Sequence, residues 1–174
     1  MPRPIQAFVQ PDAVRDNLEV VRQRAPTSRV WAVVKANAYG HGIERIYPAL
    51  EAADGIALLD LDEAVRVRQL GWKKPVLLLE GIFTQSDVKT AEEFGLTVAI
   101  HCDEQRELIV STKPMKSIDI YLKMNSGMNR LGFAPEQYRE AWERALASPG
   151  IGTITLMSHF ANADGGGRLA DEPL

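Results

Sequence analysis

Four apolar residues, Trp31 to Val34, lead straight into Lys35, and Gly40 and Gly42 follow on either side of His41. Such a run suits a strand buried on both faces, as in a parallel sheet, with the lysine at its end. The glycines let the backbone turn tightly and approach a ligand closely. Desolvation of an amine placed there lowers its pKa and frees it as a nucleophile that can form an imine. The ordinary alternative is a strand-end lysine with its head in water. Asp60, Glu80, His101, Lys123 and His159 also fall at the ends of apolar runs, and Arg130 lies a few residues beyond the fifth. In a parallel α/β architecture the carboxyl ends of the strands form the rim where ligands bind. A lysine nucleophile, an arginine and an imidazole thus share one rim. Taken singly, Asp60 and Asp62 cap or precede a helix, and His101 is a polar strand-end residue rather than a base.

The elements that must hold these groups alternate along the chain. Strands are expected at 5–9, 29–34, 55–61, 75–79, 96–100, 117–124 and 151–157. The intervening helices fall at 11–24, 43–53, 62–70, 86–94, 103–110 and 135–147. Pro11 suits a helix start, and Val14, Leu18 and Val21 share its inner face. Ile46, Leu50 and Ala53 face inward on the next helix, with Pro48 in its first turn. Ser86 caps the helix closed by Gly95, and Asp103 caps the one after it. Tyr138, Trp142 and Leu146 line the inner face of the last helix. The tail from Ala161 to Leu174 is Gly-rich and polar and carries no strand signal.

Short connections between apolar strands and helices mark βαβ units in a parallel sheet. Six βα strands fall short of a closed (β/α)8 barrel, which has eight strands in about 250 residues. The fold class expected is therefore α/β, an incomplete TIM-type (β/α)8 barrel of about six βα units. A doubly wound open sheet also accommodates six strands. No G-x-G-x-x-G follows the first strand, which argues against a dinucleotide site. No linker divides the chain into separate domains.

The 174 residues, 45% hydrophobic and 25% charged, suit one ordinary globular domain with a sizeable core. A net charge of -3 gives no reason to expect nucleic acid or an anionic membrane as partner. No apolar run is long enough to span a bilayer. The start, Met1-Pro-Arg-Pro-Ile5, has no apolar signal core, so a reducing cytoplasm is the expected compartment. The single cysteine, Cys102, forms no internal disulfide or metal cluster and is expected to pack at a strand end.

Three ordered stretches carry a resemblance. Val33-Val34-Lys35-Ala36-Asn37-Ala38-Tyr39-Gly40-His41-Gly42 resembles the pyridoxal-phosphate lysine motif of the alanine racemase family, with Asn37 where Asp is usual. Tyr121-Leu-Lys-Met-Asn-Ser-Gly-Met-Asn-Arg-Leu-Gly-Phe133 resembles the family segment L-K-x-D-T-G-M-x-R-L-G-F, with Asn125 and Ser126 replacing Asp and Thr. Met157-Ser-His-Phe-Ala161, followed by Ala163-Asp164, resembles S/T-H-F-A-x-A-D. The resemblance implies interconversion of L-alanine and D-alanine, with D-alanine serving cell-wall synthesis or alanine catabolism. It implies that Lys35 holds pyridoxal 5'-phosphate as an imine and acts as one of two proton-transfer bases. Tyr39 would hydrogen-bond the cofactor phosphate. Arg130 would bond the cofactor's phenolic oxygen and lie near the substrate carboxylate, and His159 would lie against the pyridine ring. Lys123 matches the lysine that is carbamylated in some members, where it positions the arginine.

Members of the family are about twice this length and act as homodimers, with a mostly β domain after the barrel. The second base is a tyrosine of that domain, from the neighbouring subunit. None of Tyr39, Tyr47, Tyr121 and Tyr138 matches it. The chain is therefore expected to be a truncated barrel domain, residues 1–174, that is inactive alone and poorly soluble because its strand edges are bare. Alternatives are a non-catalytic pyridoxal-phosphate-binding module and another barrel-type pyridoxal enzyme, such as a broad-specificity racemase or a decarboxylase.

Overall fold

The computed structural model describes residues 4–163. Two compact units make up the chain, Met1–Val76 and Leu77–Leu174. Asp164 of the third motif, and the tail beyond it, lie outside the described residues.

The first unit opens on extended chain. Residues 5–9 form no strand; Ile5 and Phe8 lie exposed, with no ladder to fix them. Helix α1 (Pro11–Arg24) starts at the expected proline. It buries Leu18, half-buries Val14 and leaves Val21 exposed, so its apolar contact is narrower than the expected stripe. Strand β1 (Trp31–Val33) pairs in parallel with β2 (Gly55–Leu58), Trp31 opposite Gly55 and Val33 opposite Ala57. The Val34 N–H extends the ladder to the Ala57 carbonyl at 2.9 Å. All of β2 is buried. Strand β1 is not buried on both faces as expected: Val33 is 43% exposed. It has a ladder partner in this unit on one side only.

One ion pair sets the start of β1. Asp54 accepts from the Val30 N–H at 2.7 Å and pairs with Arg22 at 2.8 Å. The Arg22 guanidinium and the Val30 bond hold the Asp54 carboxyl below the usual carboxylate range. Gly55 admits no side chain, because a Cβ there would lie 2.4 Å from the Trp31 ring. Gly55→Ala is expected to destabilise the unit by about 1–3 kcal/mol, read as a lowered melting temperature, since the indole must leave its packing.

Between these strands, α2 (Lys35–Tyr39) is a turn and α3 (Ile43–Ile46) a single helical turn. A 3-10 turn, Tyr47–Leu50, replaces the rest of the expected long helix. Pro48 has no N–H to continue an α-ladder, so the chain tightens there. Ile46, Leu50 and Ala53 are buried as expected. Helix α4 (Leu61–Gln69) buries Ala64 and Val67 completely. Asp60 takes its N-cap position without a side-chain cap bond, and Asp62 lies in its first turn. After α4, Trp72 packs edge-on to Tyr47 and donates through Nε1 to the Pro75 carbonyl at 3.1 Å.

Strand β3 (Val76–Leu78) leads into the second unit, where β3, β4 (Thr97–Ile100), β5 (Ile118–Lys123) and β6 (Ile151–Met157) pair in parallel in sequence order. Helix α5 (Gln85–Glu93) is capped by Thr84, not Ser86. The Thr84 hydroxyl accepts from the Asp87 N–H, and the Asp87 carboxylate accepts from the Thr84 N–H, a complete capping box. Helix α6 (Asp103–Thr112) starts at Cys102. Asp103 is not its cap; it receives two bonds from Arg144, at 3.1 and 2.9 Å, and one from Arg106 at 3.3 Å. Helix α7 (Pro135–Leu146) buries Ala141 and Ala145; of the large residues expected inward, Tyr138 is half-buried and its hydroxyl donates to the Leu122 carbonyl of β5 at 2.7 Å, whereas Trp142 lies exposed. The two alanines, one turn apart, let the helix lie close on the sheet, while Leu146 stays 58% exposed.

Candidate active site

The segment after β1 sharpens what the glycines alone suggested. Ala36, Asn37, Ala38 and Tyr39 all have φ between 52° and 55°, a left-handed turn built without glycine. Left-handed backbone costs an ordinary L-residue roughly 1–2 kcal/mol, and asparagine less. Strain of this kind persists only where surrounding contacts over-determine it, and it gathers at functional sites. Within the turn, the Ala38 N–H donates to Val34 (2.9 Å) and the Gly42 N–H to Asn37 (2.9 Å). The Asn37 side-chain oxygen accepts from the Ile43 N–H at 3.1 Å, fixing where α3 begins. His41 lies with Nδ1 2.8 Å from the Ala38 carbonyl. Gly40 and Gly42, at φ 84° and 89°, then bring the chain out of the turn. Lys35 is half-buried at the turn's first residue, and the Tyr39 ring is exposed. A cavity of about 300 Å³ under the turn is lined by Val33, Val34, Ala38, Tyr39 and His41, among others.

The second unit carries its own group. Lys123 ends β5 and is only 8% exposed. Burial, and then the nearby charge of Arg130, push its amine below the usual lysine range. The loop after it is closed by the Asn125 N–H to Phe133 carbonyl bond (2.8 Å) and the Phe133 N–H to Lys123 carbonyl bond (2.9 Å). Inside it, the Asn125 side-chain oxygen accepts from the Gly127 N–H (3.2 Å) and the Asn129 N–H (3.0 Å). A carboxylate at this position would accept the same two bonds, so Asn125 keeps the loop's frame without the charge. Arg130 sits exposed in this loop. His159, just beyond β6, is exposed in its side chain but held through its backbone. The Ser126 hydroxyl accepts from its N–H at 3.0 Å and donates to its carbonyl at 2.6 Å. The sequence offers no signal for this pairing, which spans 33 residues.

His101 behaves as the strand-end residue expected. Its Nε2 lies 3.1 Å from the Glu80 carbonyl, and burial lowers its pKa. Buried Gln105, which sequence reasoning passed over, ties that rim together. It donates to the Glu80 carbonyl at 2.7 Å and accepts from the His101 N–H at 3.0 Å. Cys102 is half-buried, and burial pushes its thiol up, away from thiolate reactivity. Among the described residues no group of three or more His, Cys, Asp or Glu side chains could hold a metal ion. No described helix is long and apolar enough to cross a membrane.

Lys123 exacts a stability cost. Its folded pKa lies below the unfolded value, so the folded state binds fewer protons between the two. Stability should rise as pH rises through the folded pKa and level off above the unfolded one. Lys123→Met is expected to raise stability by about 1 kcal/mol at pH 7. Its advantage over the wild type should shrink at alkaline pH, as denaturant melts across that range will record.

Parallel strands alternating with helices define an α/β protein of the barrel type. The chain belongs to the alanine racemase family: the model of its N-terminal domain matches residues 9–172. An alanine racemase of Burkholderia mallei is 55% identical over 172 residues, covering 99% of this chain and 48% of the relative. One from Cupriavidus metallidurans is 58% identical over 164 residues, covering 94% and 45%. The crystal structure of the biosynthetic alanine racemase from Pseudomonas aeruginosa superposes with a TM-score of 0.86 at 39% identity, covering 92% of this chain and 45% of that one. The fold is thus that of a partial (β/α)8 barrel. A histidine racemase from Leuconostoc mesenteroides also superposes, with a TM-score of 0.80 at 26% identity, covering 92% and 45%. The chain spans about half the length of the curated relatives it matches.

Proposed function

We propose that this chain is the lysine-bearing N-terminal part of a pyridoxal-phosphate-dependent alanine racemase, interconverting L-alanine and D-alanine in the cytoplasm. The observation that carries the proposal is Lys35, held at the end of β1 by a strained left-handed turn within a motif of that family. The donors present fit the cofactor: an amine for its aldehyde on Lys35, a hydroxyl for its phosphate on Tyr39, and a guanidinium for its phenolic oxygen on Arg130. His159, steadied through its backbone by Ser126, offers a flat face for the pyridine ring. Pyridoxal phosphate, when bound, supplies an electron sink that makes the alanine α-proton removable.

The protein's part is to hold and move protons. Lys35 Nζ, once neutral, takes or returns a proton at the alanine Cα on one face. Racemisation needs a second base on the other face, which we assign to a tyrosine of a partner subunit in a homodimer. Arg130 also attracts the substrate carboxylate. The Lys123 amine, once neutral, can add carbon dioxide with loss of a proton. The resulting carbamate would be an anion beside Arg130, turning repulsion into an ion pair.

The racemase containing this chain is expected to form D-alanine from L-alanine and to leave histidine unchanged. Both are read by chiral chromatography of the products. Cofactor binding without any D-amino acid would favour the non-catalytic module, and turnover of histidine or of several amino acids would favour a broader racemase.

A further inference from the structure

Four left-handed residues need a hold from outside their own segment, and α4 supplies one. The Asn37 N–H, in the middle of the turn, donates to Oε1 of Glu63, 26 residues further along. Glu63 lies in the first turn of α4, whose Ala64 and Val67 are fully buried, so the carboxylate is mounted on a fixed support. Its other oxygen, Oε2, is buried and has no hydrogen-bond partner among the described residues. An oxygen kept so out of water needs compensation. That comes from the charge-assisted bond to Asn37 and from Arg66, one turn along α4, which interacts electrostatically with Glu63. Arg66 in turn pairs with Glu44 of α3. Helix α4 thus grips the segment at residue 37, inside the strained turn, and again at residue 44, just after it.

We infer that Glu63 is a positioning residue for Lys35, clamping the left-handed turn through the Asn37 peptide so that the amine is held at the end of β1. Its catalytic meaning rests on the function proposed above; the clamp itself does not. Glu63 touches no reacting atom and acts only through the turn.

The test uses the cofactor-free chain. Exchange of the Asn37 amide proton is followed by NMR in the wild type and in two Glu63 variants. Glu63→Gln retains a carbonyl acceptor, so it should keep the amide protected from exchange. Glu63→Ala should speed Asn37 exchange at least about tenfold, as expected for losing one charge-assisted hydrogen bond. In parallel, acetylation of each lysine by acetic anhydride is timed by mass spectrometry. Lys35 should change its rate in Glu63→Ala and recover it in Glu63→Gln, with Lys73 and Lys89 unaffected. Asn37 exchange unchanged in Glu63→Ala, or an Asn37 amide left unprotected in folded Glu63→Gln, overturns the clamp, and the glutamine variant decides it where Glu63→Ala fails to fold. A Lys35 rate untouched by Glu63→Ala overturns the positioning role. Neither result depends on pyridoxal phosphate, so each is distinct from failure of the racemase assignment.

Discussion

In the racemase proposed to contain this chain, Lys35→Ala is expected to cut alanine racemisation by at least about 10³-fold, because the proposed roles of Lys35 are general base and covalent anchor of the cofactor. The effect should fall on kcat, because the role proposed for the lysine is on the proton in flight rather than on alanine binding alone. Added methylamine should recover a small part of the rate in the variant. It returns an amine of the right chemistry without the orientation that β1 and the turn impose. Steady-state kinetics by coupled D-alanine assay make the comparison. Lys35→Arg should be nearly as poor, since guanidinium stays charged and forms no imine under these conditions.

The second large effect belongs to Gly132. Its φ of 121° is a conformation that L side chains rarely adopt, and a Cβ there would fall 2.5 Å from the Asn125 nitrogen and 2.6 Å from the Met124 carbonyl carbon. All of these are backbone atoms that cannot step aside. Gly132→Ala should therefore cost about 3 kcal/mol or more, combining backbone strain and overpacking. The damage should centre on the loop, because the Asn125–Phe133 and Phe133–Lys123 bonds flank this residue. Denaturant melts should record the loss, and exchange should rise at the Asn125 and Phe133 amides. Gly127→Ala, where a Cβ would meet only the Ala161 side chain at 3.8 Å, is the milder control, strained by its φ of 108° alone.

Much of the architecture was legible because the punctuation was strong. Pro11 opens α1, Pro135 opens α7, and β6 runs over the residues expected, Ile151–Met157. Local chemistry could have corrected one boundary: Thr84 is followed three residues on by Asp87, the spacing of a capping box, whereas Ser86 is followed by Lys89. Helix α7 was harder. Period placed Tyr138 correctly, its hydroxyl bonded to the Leu122 carbonyl, but it also selected Trp142 and Leu146; closeness to the sheet favours small residues, and Ala141 and Ala145 took the fully buried positions.

The candidate site divides in the same way. Lys35, Lys123, Arg130 and His159 stood out by residue type and by motif. The left-handed turn did not, because its usual signals are glycine and asparagine and only Asn37 of the four residues is either. Its stability comes from Glu63 and Ile43, which are remote or appear ordinary in the sequence. Likewise Ser126 reads as a loop serine until its two bonds to the His159 backbone are seen. Long-range hydrogen bonds leave no periodicity, and period and punctuation are what a single sequence records.

The visible spectrum of the chain with pyridoxal phosphate is the most direct test of whether Lys35 holds the cofactor. Wild type and Lys35→Ala are titrated with pyridoxal phosphate, and each is then reduced with borohydride and mapped by mass spectrometry. A visible band in the wild type and a cofactor-sized mass fixed on the peptide bearing Lys35 are expected, with neither in the variant. A band of equal strength in Lys35→Ala, or the reduced cofactor on a different lysine, would contradict that role.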